Sequence, residues 1–351
     1  MIKHLKKISV FATISLLLTQ STAFATTNKI SGEDLYKNTA VQLLKGMKSD
    51  KVIEKNIPLY NAKNDESAIL FDLNEGYIII DESTNEISEF SLTEDNKYFK
   101  DSSKHYVYCG PTGSYEENSG KLKNLETNEE ENNKEKVQEG INRFKKNVEK
   151  NQLSNSVKSP KTINKASNNT LYVDRIEGKI PNLSYNPNGI CGSCAVGNLL
   201  TFFHWNITHG FVPSRYENSV NSGGNGEEFI KSIVPYVDGD SPGSNQNELK
   251  SGLKKYLTER VGFKGDVSLY DLSSGPAAEA HGVDKLKSGL PFILGLHQAS
   301  GNQYGDHWVV AIGFAHTAEN DSIPVLYKVI NGWGSNEAYV NVAWTDYMVA
   351  I

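Results

Sequence analysis

The stretch Asn188–His204, NGICGSCAVGNLLTFFH, sets two cysteines three positions apart at the head of an apolar run. Ala195, Val196, Leu199, Leu200, Phe202 and Phe203 recur at helical spacing and define an apolar face. Cys191, Cys194, Asn198 and Thr201 fall together on a smaller, more polar face. The turn residues Ser184-Tyr-Asn-Pro-Asn-Gly189 precede the helix. A thiol in its first turn meets the positive end of the helix dipole, which favours ionisation.

Four chemistries compete for this pattern. A redox pair would use Cys-Gly-Ser-Cys at a helix start, but such sites follow a strand in a βαβ unit, and here a turn leads in. A zinc site would add His204 and His209 as C-x2-C-x9-H-x4-H. A continuous helix carries His204 about 15 Å from Cys194, so those ligands do not converge. Two buried small hydrophobes are the plainest reading of free cysteines, and the polar-face placement argues against it for at least one of them.

The fourth chemistry, a hydrolase, needs a base and a group that orients it. Gly305-Asp-His307-Trp-Val-Val-Ala-Ile-Gly-Phe314 puts a histidine at the start of a buried strand, and Val329-Ile-Asn331-Gly-Trp-Gly334 ends another strand in an amide. An imidazole can take the thiol proton, and an acceptor on its second nitrogen holds ring and tautomer without added charge if that acceptor is Asn. The order is Cys, His, Asn, with His307 116 positions after Cys191 and Asn331 24 positions after His307.

Outward from this core, the 351 residues suffice for two packed units. Lys3, Lys6 and Lys7, the apolar Ile8–Leu18 and Ala23-Phe-Ala25 read as a signal peptide over 1–25. That apolar run is too short to span a bilayer, so the product is expected to be secreted without a stable membrane anchor. A prodomain is expected over 26–153, with a helix at Glu33–Met47 and strands at Ser67–Leu73, Gly76–Asp81 and Ile87–Leu92. Thr127–Leu153, dense in Glu, Lys and Asn, promises at best a solvated helix.

The Ser, Asn, Lys and Pro of 154–170 read as a linker with the processing site. From 171 to 351 the chain is richer in Gly and aromatics and holds every Trp. Helices near Gly226–Val237 and Asn247–Leu257 precede strands at Pro291–Leu296, Trp308–Phe314 and Val325–Ile330, an α+β order. A formal charge of -6 argues against a nucleic-acid partner. Three cysteines cannot all pair, which favours a working thiol.

With these residues in view, 171–351 resembles the bacterial secreted papain-fold cysteine peptidases, streptopain-like and bacteriocin-leader-peptidase-like. CGSCA with its helix, Leu286-Lys-Ser-Gly-Leu-Pro-Phe-Ile-Leu294, DHWVVAIGF and INGWG carry the resemblance. Asn56–Ser91, with GYIIIDESTNEISEFS, looks like the propeptides of streptopain-like zymogens. The resemblance implies a papain-like α+β fold, with the cysteine helix packed on an antiparallel sheet carrying His and Asn, preceded by a small α+β prodomain. It implies a secreted cysteine endopeptidase made as a zymogen, with protein or peptide substrates, its own propeptide as intramolecular inhibitor, and no metal or organic cofactor.

Two alignments compete for the nucleophile. The papain register matches NGICGSC to QGSCGSC, making Cys194 the nucleophile and Asn188 the oxyanion donor, but Ala195 stands where papain carries Trp. The leader-peptidase register makes Cys191 the nucleophile, and the reading favours it. Tyr185 then takes the place of the upstream glutamine, leaving Asn186 and Asn188 as oxyanion candidates beside the helix amides. The second CGPT, at Cys109, runs into a loop and is read as structural. Trp333 is expected to shield His307 and Asn331 from water. Remaining alternatives are a papain-fold cell-wall amidase, a catalytically inactive secreted binding protein and a C-x-x-C redox protein. The Lys, Asn and Ile bias suits a Gram-positive bacterium.

Overall fold

The computed structural model describes residues 32–111, 113–125, 128, 130–157, 171–221, 223–239, 243–272, 276–297, 306–317 and 325–351, without the side chains of 151–157, 171, 188, 276 and 306. The signal segment and the linker beyond Val157 lie outside the described residues.

The first half opens with α1 (Gly32–Gly46), acidic in its first turn at Glu33 and Asp34 and basic in its last at Lys45, as the helix dipole favours. Its Ala40, Leu43 and Leu44 pack on a meander of β1 (Ile53–Tyr60), β2 (Glu66–Leu73), β3 (Tyr77–Asp81) and β4 (Glu86–Ser91). Short strands β5 (Tyr106–Tyr108), β6 (Ser114–Asn118), β7 (Lys121–Asn124) and β8 (Glu130–Glu131) extend it, and α2 (Lys134–Val157) follows.

The second half runs β9 (Leu171–Arg175), α3 (Cys191–Asn206), α4 (Glu217–Val220), α5 (Glu227–Val237), α6 (Gln246–Tyr256), β10 (Ser268–Asp271) and α7 (Pro276–Lys287). It ends in β11 (Phe292–His297), β12 (Asp306–Thr317), β13 (Leu326–Ile330), β14 (Ala338–Asn341) and β15 (Thr345–Ala350). The described residues therefore form a mixed α/β fold with seven α-helices and one large, mostly antiparallel sheet. Its strand order is β10-β15-β11-β12-β13-β14-β4-β3-β2-β1-β5-β6-β7-β8, with β9 also paired to β12. No helix of the described residues is long and apolar enough to cross a membrane.

The main core lies between α3, α5, α6 and β11–β13, where Val196, Leu199, Leu200, Phe229, Ile233, Leu294, Val310 and Ile312 meet. Burial on this scale, at about 25 cal/mol per Å² of apolar area, holds the cysteine helix rigidly on the histidine strand. All of α3 from Cys191 to His204 is buried, including its smaller, more polar face. Asn198 explains this: its Oδ1 accepts from the Leu183 N–H (2.9 Å) and its Nδ2 donates to the Leu183 and Cys194 carbonyls (3.1 and 3.0 Å), drawing the preceding segment across that face.

The two halves join within the sheet. β4 pairs antiparallel with β14, placing Ser91, Phe90 and Glu89 opposite Ala338, Tyr339 and Val340. Just beyond β14, Trp344 is fully buried among residues of the first half. Its indole N–H donates to Ser88 Oγ (2.7 Å), and its ring stacks on Phe144 of α2 at 4.3 Å. Arg143 of α2 reaches Asp346 on β15 (2.5 Å), a buried carboxylate that also faces His297 (3.3 Å).

Here α2 departs from the solvated helix expected over Thr127–Leu153. Val137, Ile141, Phe144 and Val148 are buried, spaced four, three and four apart. That is a narrow stripe that a polar composition conceals until a partner surface is supplied. The helix also runs through Ser154 to Val157, which the composition assigns to the linker.

Candidate active site

The site begins where the turn Pro187–Gly189 gives way to α3. Ile190 occupies the N-cap and offers no side-chain oxygen to the first-turn amides. Cys191, 7% exposed, stands at the first helical position. Its thiol receives the main-chain N–H of Trp308, the neighbour of His307 on β12, and that of Gly192. Burial pushes this thiol up to about 12, the nearby Asp238 carboxylate adds to the rise, and the amide donors oppose it.

Cys194, one turn along, is fully enclosed. Its Sγ lies 3.5 Å from the Leu183 carbonyl and 3.7 Å from that of Gly332, and Asn198 Nδ2 is also 3.7 Å away. Burial, Cys191 and Asp238 all raise this thiol. Both cysteines belong to the same neighbourhood, but Cys194 is spent on packing the loop after β13 against α3.

His307, 5% exposed, sits near the start of β12 opposite Leu296 of β11. Its Nε2 faces the Asn331 main-chain carbonyl at 2.9 Å. A carbonyl only accepts, so Nε2 carries the proton and Nδ1 keeps the free lone pair of the neutral ring. The ring stacks on Trp333 at 4.1 Å and 9°. Burial lowers the imidazole to about 4, partly offset by the Asn331 carbonyl.

Asn331 meets His307 by a different atom from the one expected. Its side-chain Oδ1 is engaged by the N–H groups of Trp333 (2.9 Å) and Ser335 (3.1 Å), so the amide closes the loop rather than touching the imidazole. This turn, opened by Gly332 at φ +82, aims the Asn331 carbonyl and the Trp333 ring at His307. A Cβ at position 332 would stand 3.4 Å from Cys194 Sγ and 3.7 Å from Asn186 Nδ2, in addition to the backbone strain. Asn-Gly is itself a turn signal, and it names the carbonyl arrangement as readily as the side-chain one.

Of the oxyanion candidates, Asn186 lies beside Gly332 and its Oδ1 is buried without a hydrogen-bond partner among the described residues. The side chain of Asn188 is outside the described residues. Cys109 is fully buried with its thiol 3.4 Å from the Gly113 carbonyl, in a loop packed against Val137 and Ile141 of α2. His204 caps the far end of α3: its Nδ1 accepts from Gly210 and Val212 N–H (3.1 and 3.3 Å), and its Nε2 meets His209 Nδ1 (3.3 Å). It points away from both cysteines, and no cluster of three metal-binding side chains occurs among the described residues.

The first half roofs this site. A cavity at the junction is lined by His307, Asn331, Trp333 and Ser335 on one side and by Tyr77, Glu89 and Glu94–Tyr98 on the other. Lys97 Nζ reaches the Trp333 carbonyl at 3.5 Å. Glu89, buried in β4, is lifted to about 8 by desolvation. Neither Glu89 nor Asp238 is marked by any local sequence pattern, because the surroundings of each come from distant segments. Compared with known proteins, the chain matches no family model, and no curated protein matches it.

Proposed function

We propose that the chain is the zymogen of a secreted cysteine endopeptidase with a papain-like catalytic half. The observation that carries this reading is the contact of His307 Nε2 with the Asn331 carbonyl, an acceptor that assigns the proton to Nε2 and leaves Nδ1 as the base. The same strand sets the Trp308 N–H on the Cys191 thiol at the helix start. The Cys191 proton passes to His307 Nδ1, and the thiolate attacks the peptide carbonyl carbon. The oxyanion is met by main-chain N–H groups at the start of α3. The His307 proton then leaves with the departing amine, and water, deprotonated by His307, hydrolyses the thioester and restores the thiol.

With the thiol held up to about 12 and the imidazole down to about 4, both partners are neutral near pH 7. That is the resting state of an unprocessed enzyme, and the roof of Glu94–Tyr98 and Lys97 over His307 and Trp333 supports an inhibitory role for the first half. Linker-cleaved protein should hydrolyse casein, with activity lost in Cys191→Ser and His307→Ala and kept in Cys194→Ser. Hydrolysis of peptidoglycan but not casein would replace the peptidase by an amidase. Inactivity on both would leave a binding protein.

A further inference from the structure

We propose that Asp238 is a positioning residue of this site: together with the main chain of Ser244, its carboxylate clamps the first turn of α3 against β12 and so fixes Cys191 relative to His307. The inference rests on Cys191 being the reactive thiol. Asp238 ends α5, its own N–H closing that helix on the Val234 carbonyl. Its Oδ2 accepts from the Ser193 main-chain N–H at 2.9 Å and from the Ser193 hydroxyl. Ser193 is the third residue of α3, where an N-cap side chain ordinarily serves, and Ile190 has none to offer. A residue 45 positions away thus performs the capping.

Ser244 completes the clamp from the other side. Its carbonyl accepts the indole N–H of Trp308 at 2.8 Å, while the Trp308 main-chain N–H rests on the Cys191 thiol. Between the two lies Gly192, where a Cβ would stand 2.4 Å from Ser244 Oγ and 3.0 Å from Asp238 Oδ1. The turn carrying the nucleophile therefore has no room to shift while Asp238 and Ser244 stay in place. The carboxylate has an electrostatic consequence as well: buried near the thiol, it opposes the thiolate that the helix dipole favours. Charged and titratable neighbours of Asp238 are Glu248 from α6 and the two thiols of α3.

Iodoacetamide labelling of the full chain, mapped to individual cysteines between pH 8 and 10, tests this without requiring peptidase activity. Asp238→Asn keeps an acceptor for Ser193 and removes the charge, so Cys191 should react several-fold faster at each pH. Asp238→Ala removes the clamp. In that background the effect of His307→Ala on Cys191 labelling should shrink at least several-fold, because thiol and imidazole no longer hold their relation. An undiminished His307 effect in Asp238→Ala, or an equal loss of that effect in Asp238→Asn, which keeps the acceptor, overturns the proposal. Failure of the peptidase reading shows separately, as intact labelling behaviour in the full chain with no casein hydrolysis by linker-cleaved protein.

Discussion

Replacing Phe144 by Ala should loosen the first half from the second without touching Cys191 or His307. Phe144 is 1% exposed, and its ring lies flat on Trp344 at 4.3 Å and 13°. Deleting a buried phenylalanine ring costs about 3 to 5 kcal/mol, because the cavity collapses only in part. Trp344 keeps its bond to Ser88 and its edge contact with Tyr108, so the loss concentrates on α2. If opening of α2 is a local event, its equilibrium constant should rise by about two to four powers of ten. Hydrogen exchange on the full chain reads this directly: peptides from α2 and from Val340–Trp344 should lose protection by that factor, while α5 holds its own. Equal protection of α2 in variant and wild type, or a uniform loss that includes α5, would refute the assignment of Phe144 as the local latch.

Two further perturbations address the roof and the loop. Glu89, lifted from 4.5 to about 8, favours the joined state fully below pH 4.5 and loses that contribution as pH rises to 8. Glu89→Gln should therefore leave urea stability near pH 5 almost unchanged and raise it by several kcal/mol at pH 8. A pH-independent difference would mean that the carboxyl is not buried at the junction. Asn331→Ala strands the Trp333 and Ser335 N–H groups, a cost of about 1 to 3 kcal/mol. Cleaved protein carrying it should lose casein hydrolysis by more than tenfold, and wild-type turnover would remove this loop from the positioning of His307.

Much of the local structure is legible in the chain. The apolar spacing of Ala195–Phe203 marks α3, and the short strand-like runs within Ser67–Leu92, bounded by Asn, Asp, Glu and Gly, mark β2, β3 and β4 within a residue or two of their observed ends. Buried strands β11, β12 and β13 announce themselves by continuous apolar runs. The cysteine, histidine and asparagine stand out because each lies at the end of such an element, next to turn residues. Less legible are α7, whose Pro276–Lys287 reads as a mixed polar stretch, and β14 and β15, which are short and lack a clear period.

By itself, then, the sequence determined the types of its strongly patterned elements, the candidate residues and their order along the chain, since these follow from periods and turn chemistry within a few positions. Tertiary structure alone decided which atoms those residues use. The Asn331 carbonyl rather than its amide faces His307, because two loop N–H groups claim the side chain. Cys194 is walled in and Cys191 meets the histidine strand, because Asn198 folds the Leu183 segment over one side of α3. The first half shares a sheet with the second, because the narrow stripe on α2 becomes apolar surface only when Trp344 is there to receive it. Each of these depends on partners many residues distant, and a hydrogen bond or a buried ring is decided by what meets it across the fold.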